Sequence, residues 1–304
     1  MSRLIGLWKK ENGNALVLVS IALMALLAIT GLVIDGGMVY QTKSHLQKVA
    51  NAAALSGAQE LTNNQDKVEE IVYSVIDQHD TEVSLTNLGI EMPKSVEVDL
   101  EVPVSLAFSK LLGKDQVMVK AHATAELRTM GRAVGAAPLG IDESIMLEYY
   151  KEYQLKVDQQ DVDSGNFGVL ALGGTGAATY EYNLRHGYQD ELKVGDVLET
   201  QTGNIAGKTR SVIRERVNGC QENPRDVNVR DCSRVILIPV YKPLNHTGNQ
   251  LKEVQITGFA YFYVTDPMDS HDTSIRGMFI KRTGTGYEEP GALDRGAFSI
   301  RLTE

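Results

Sequence analysis

Cysteine is scarce in this chain, with two residues in 304. A small scaffold stapled by disulfides is thereby excluded, since such scaffolds replace a core with several bridges. Basic charge is also in short supply, at 30 Lys and Arg against 39 Asp and Glu, and no basic stripe is present. A formal charge of −9 argues against a nucleic-acid binder. Internal repeats and low-complexity tracts are missing, and a 43% hydrophobic content disfavours intrinsic disorder. Catalytic signatures are lacking too. None of His45, His79, His122, His186, His246 and His271 falls in H-E-x-x-H spacing, and no serine sits in G-x-S-x-G. No enzyme activity, metal or cofactor is therefore expected. What remains is a chain long enough to bury a core, and its length suggests two domains.

The apolar residues are unevenly spread. Ala15 to Ile34 form 20 residues without a charge. At about 1.5 Å per residue a helix of that length crosses roughly 30 Å, the hydrocarbon thickness of a bilayer. Only a helix satisfies its own backbone there. A cleaved secretory signal and a buried core helix are the competing readings. The run exceeds the usual signal length of about 7 to 15 residues, and no A-x-A-like site follows directly. Its length and lack of charge make a core helix improbable. Arg3, Lys9 and Lys10 against Glu11 give the preceding leader +2, leaving −11 for the rest of the −9 total. Basic residues stay in the cytoplasm, so the N-terminus is expected inside and the long C-terminal part outside.

Helical periodicity continues past the span. Val39, Leu46, Val49, Ala50, Ala53 and Ala54 recur at helical spacings through Leu61, without proline. Gly36 and Gly37 allow a bend where the membrane ends. Ala50, Ala53, Ala54 and Gly57 give one face of small residues. Such a face suits close approach of a partner helix, or packing on the chain's own domain.

The ordered elements Gly13-Asn14, Gly31 to Asp35, Gly37, Tyr40, Leu46-Gln47, Ala50 to Leu55 and Gly57-Ala58 resemble the TadE/TadG-like family of Flp pilus-assembly proteins. The resemblance implies a pilin-like helix, half in the membrane, that carries an extracytoplasmic domain. It also implies membrane lipid, other Tad pilus-assembly proteins and pilins as partners, and a part in pilus biogenesis and adherence. Precursors cut by a prepilin peptidase carry a small residue before the cut and usually Glu at the fifth position after it. Gly13 and Asn14 would flank such a cut, but the fifth position is Leu18. The departure favours an uncleaved accessory anchor over a major shaft subunit. Some members of the family add an adhesion domain with D-x-S-x-S, which does not occur here.

Downstream, Val68, Ile71, Val72, Val75 and Ile76 mark an amphipathic helix over 66–79, with Asn63 or Asn64 as its cap. Val96, Val98, Leu100, Val102, Val104 and Leu106 alternate with Glu97, Asp99, Glu101, Pro103 and Ser105, which predicts a strand with one wet face. Pro103 suggests a local edge. A second alternating run covers 117–127, and Phe108 to Gly113 between them read as a short helical turn. This segment also resembles the family, which extends the likeness to about residue 128.

Gly131, Gly135, Pro138 and Gly140 mark a linker or turn region. Strand-like runs follow at 167–172, 235–240, 254–264 and 275–281, with helices suggested at 144–154 and 178–186. Val235 to Val240 read as covered on both faces, and Pro239 as weakening that strand's end. The expected class is α+β: a leader (1–13), a transmembrane helix (14–34), a pilin-like helix with a small α+β unit (35–130), and a β-rich extracytoplasmic domain (131–304).

Outside the cytoplasm, Cys220 and Cys232 suggest a disulfide, with two free thiols as the alternative. Gly173-Gly174-Thr175-Gly176 lacks the G-K-[ST] ending of a phosphate loop, so a tight turn needing positive φ is the better reading. Asp158, Asp161 and Asp163 make part of a calcium loop without its terminal glutamate, so a solvated acidic loop is expected. Asn245-His246-Thr247 is a glycosylation sequon by pattern alone. The expected function is that of a membrane-anchored, minor pilin-like accessory component of Flp/Tad pilus assembly. The alternative is a tethered module that binds a glycan or protein through its C-terminal domain.

Overall fold

A computed structural model describes residues 12–79, 83–156, 167–201, 205–220, 226–229, 231–247, 250–271 and 273–303. The fold is α+β, with a long apolar N-terminal helix and a β-rich C-terminal region.

Helix α1 runs from Asn12 to Ala58 without interruption. Gly36 and Gly37, where a bend was allowed, lie inside it with open space around their Cα atoms. The helix changes character along its length. Residues 15–30 are exposed on every side. From Gly31 onward an inward stripe appears, through Asp35, Leu46, Val49, Ala50, Ala53, Ala54, Gly57 and Ala58. Spacings of three and four keep it on one side of the helix. Helix α2, Gln65–His79, packs back on it through Val68, Val72 and Ile76. Asn64 caps α2, its Oδ1 accepting the Lys67 N–H at 2.9 Å.

The stripe rests on a sheet of order β1-β2-β3-β14-β12, formed by Ser84–Glu91, Ser95–Ser105, Gln116–Ala133, Ala297–Leu302 and Arg282–Thr283. The alternating positions of β2 and β3 point where the period places them. Val96, Val98, Leu100, Ala121, Ala123 and Ala125 are buried against α1 and α2. Each fully buried Val or Leu of this layer contributes about 1.5–3 kcal/mol. Strand β1 pairs with β2 only as far as Glu101, so Pro103 stands beyond the end of its neighbour, where a missing N–H is harmless.

The second sheet has the order β5-β11-β10-β9-β4-β6, formed by Glu152–Lys156, Ser274–Ile280, Gln250–Val264, Val235–Thr247, Leu139–Asp142 and Phe167–Val169. Helices α3 (Ala177–His186) and α4 (Ala206–Gly219) share a core with it. Ile236, Ile238 and Val240 point into that core, while Leu237 and Tyr241 enter a second one, so β9 is covered on both faces. It continues past Pro239, paired there with Phe259. The helix suggested over 144–154 does not form. Turns lead instead into β5, and its Tyr153 ring meets Phe279 of β11 edge-on at 5.1 Å.

The cut expected at residue 131 does not match the sheet boundary. Strand β3 runs through it to Ala133 and there pairs with β7 (Leu192–Lys193) and β13 (Tyr287–Glu288). Strand β14 then returns to lie beside β3, with Ile300 opposite Leu127 and Leu302 opposite Ala125. The C-terminal strand thus completes the sheet that carries α1.

Candidate functional site

Among the described residues, nothing covers residues 15–30 of α1. Leu16, Leu23 and Leu27 are 70%, 58% and 63% exposed. A run that apolar and that bare has the length and composition to lie in a bilayer.

Where it meets the rest of the protein, the contact is narrow and specific. After β2 the chain turns through a 3-10 segment, Ser109–Leu112, ended by Gly113 at φ +83°. Gly113 donates its N–H to the Lys110 carbonyl at 3.0 Å, and Lys114 to Ser109 at 3.1 Å. The open end of this turn, with its free amides, faces Asp35. The buried carboxylate accepts N–H groups from Ala107 at 2.9 Å, Phe108 at 3.1 Å and Ser109 at 2.6 Å. An anion over unpaired amides satisfies both sides. One helical turn earlier stands Gly31. A Cβ placed there would lie 2.5 Å from the Phe108 ring, so glycine is what lets the ring close onto the helix. The sequence locates Asp35 at the end of the apolar run, but not its partners more than 70 positions away.

The small-residue face is placed against the chain itself. Ala50, Ala53 and Ala54 are fully buried in the core shared by α1, α2 and the first sheet. At Gly57 a Cβ would meet Val72 Cγ2 at 2.6 Å. In this conformation the face is covered by the chain's own α2 and sheet. Lys43 and Gln47 beside it reach β3, donating to the carbonyls of Lys120 and His122.

Cys220 and Cys232 are bonded, with their Cα atoms 5.2 Å apart. The bridge ties the end of α4 to the start of β9 and packs with Tyr263 and Ile280. Two cations brace the same corner, Arg234 buried and Arg216 partly buried. Arg234 donates to the carbonyls of Cys220 and Thr265, and Arg216 to those of Leu184 and Ser233. Burial pushes the Arg216 guanidinium below its usual range.

On the outer face of β2 and β3, register places Asp99 opposite His122. Their side chains meet at 2.7 Å, and Glu97, Asp99 and His122 hold ligand atoms within 4.8 Å of one another, a set with the donors for a cation. Those donors are already engaged: His122 also contacts Thr124 Oγ1, and Asn87 donates to both Glu97 and Asp99. Partial burial of Asp99 opposes its ionisation, but the His122 and Asn87 hydrogen bonds outweigh it and hold the carboxyl below its usual value. Alternation gave the wet face of each strand, and the register that joins them is non-local.

Gly173, Gly174 and Gly176 all take positive φ, at +72°, +115° and +134°, and lead into α3, as a turn requires. Gly176 donates its N–H to Gln201 Oε1 at 2.9 Å. The Gly13–Asn14 peptide lies in the first turn of α1. The leader charges Arg3, Lys9, Lys10 and Glu11, and the acidic positions Asp158, Asp161 and Asp163, lie outside the described residues. Asn245 to Thr247 end strand β9.

No curated protein and no solved structure matches the chain. One family model does, and it covers α1 and the turn that follows. Residues 13–60 match the family described as putative Flp pilus-assembly TadE/G-like, which associates this chain with Flp pilus assembly.

Proposed function

We propose that the protein is a membrane-anchored, minor pilin-like accessory component of the Flp/Tad pilus machinery, supporting pilus biogenesis and adherence. The leader 1–13 stays cytoplasmic, 14–34 cross the membrane, and the pilin-like unit 35–130 and the β-rich portion 131–304 stand outside. One observation carries the reading: the family match falls on a helix that is bare through its apolar half and forms the core of a folded unit through the other. The bonded Cys220–Cys232 pair suits an oxidising exterior. The partners are other pilus-assembly proteins and pilins. The leader is retained, since Leu18 stands where processed precursors carry Glu. Protease added to intact spheroplasts should digest the portion after residue 35, and detergent extracts should co-isolate the pilus secretion complex. Full protection of the chain, or no co-isolation, contradicts the proposal. N-terminal sequencing should show no start at Asn14.

A second reading, a tethered binding module, draws on a cleft of about 390 Å³ between the α1–α2 turn and the C-terminal portion. Glu60 and Asn63 line one wall, and Val227, Arg282 and Thr283 the other. Glycan or peptide retained by the full chain, and lost on substituting Asn63 and Thr283, would favour it.

A further inference from the structure

We propose that the turn between β2 and β3, residues 107–114, is a second membrane contact that seats the folded unit directly on the outer leaflet. The inference rests on the reading of 15–34 as a membrane span. It starts from depth. Gly31 lies three residues inside the end of the apolar run, about 4.5 Å along the helix axis. The Phe108 ring packs against Gly31, and the Asp35 carboxylate fixes Ala107, Phe108 and Ser109 at the first position beyond the run. Wherever the span sits, this turn therefore sits beside its outer end.

The composition of the turn fits that depth. Leu111 at its apex is 84% exposed, and Phe108 is 39% exposed. Phe108 closes onto Gly31 and still leaves part of its side chain exposed, while Leu111 is held out by the hydrogen-bonded turn. Lys110 and Lys114 stand on either side of Leu111 in the turn, both exposed. Apolar side chains at the headgroup boundary, with cations reaching the phosphates, are how proteins bind a lipid surface. Asp115 is the sole acid between 106 and 115, and stands at the base of the turn where its carbonyl accepts the Leu106 N–H. The occupant of this surface is lipid, because the turn is continuous with the span that enters it. With two points of attachment, the unit cannot pivot freely about a single helix.

The test uses the full chain in vesicles of phosphatidylcholine and phosphatidylglycerol. Because Cys220 and Cys232 are bonded, one added cysteine takes a nitroxide label. Leu111→Cys reads the turn and Leu23→Cys reads the span, through collision with apolar oxygen and a water-soluble nickel chelate. The proposal expects oxygen to dominate at both sites, with a deeper reading at Leu23. Nickel dominating at Leu111 while oxygen dominates at Leu23 overturns the proposal and leaves the anchor standing. Low collision with both reagents at Leu111 means protein covers the turn, and also overturns it. Nickel dominating at Leu23 overturns the anchor and this inference together. Since Leu111 is 84% exposed, its substitution leaves the fold intact.

Discussion

The Asp35 carboxylate accepts the Ser109 backbone N–H at 2.6 Å across 74 positions of sequence. With Ala107 and Phe108 sharing the same acceptor, one side chain fastens the β2–β3 turn to the helix as it leaves its apolar run. Asp35→Ala leaves these amides without their acceptor. Hydrogen exchange should accelerate at 107–109 and stay slow in β2 and β3. Asp35→Asn keeps one acceptor oxygen and should fall between. Unchanged protection in Asp35→Ala would contradict the role given to this contact.

The small face of α1 should not tolerate volume. Gly57→Leu drives a side chain into Val72 and should cost about 1–3 kcal/mol by overpacking. The check is the thermal midpoint of the detergent-solubilised full chain, which should fall. An unchanged midpoint would mean the α1–α2 contact is not held as described.

Breaking the Cys220–Cys232 bridge by Cys232→Ser should cost roughly 3 kcal/mol, the loop-closure value for a ring near this size. Denaturant unfolding under oxidising conditions measures it. Since the bridge packs with Tyr263 and Ile280, near-ultraviolet tyrosine signals should change with it.

The Asp99–His122 contact gives an acid-limb prediction. The Asp99 carboxyl titrates below its ordinary 3.8 in the folded protein, so the unfolded chain takes up the proton first as pH falls. The contribution is present above the unfolded value and lost as pH drops through the lower folded one. Asp99→Asn should flatten that limb. A limb of unchanged slope would show that the contact does not favour the charged form.

Much of this architecture is legible in the sequence, and the reasons differ by element. The bare half of α1 has no buried face, so an uncharged run sufficed. The alternation of β2 and β3 follows from their lying between helices and water. Strand β1 escaped because it is an edge strand, and none of its residues is fully buried. Helix α4 escaped because Ala206, Thr209, Val212, Ile213 and Val217 form a thin stripe in a charged segment. The period of 297–302 suits a strand, but nothing local says that it joins β3, more than 160 residues earlier. Asp35 and Ser109 share this difficulty, since neither carries a signal of the other.

The count of surface pili per cell tests the central claim most directly, in a deletion strain complemented with the intact chain or with one lacking residues 15–34. The account predicts few or no pili in the deletion, recovery with the intact chain, and none with the truncated one. Normal piliation and adherence in the deletion strain would contradict it.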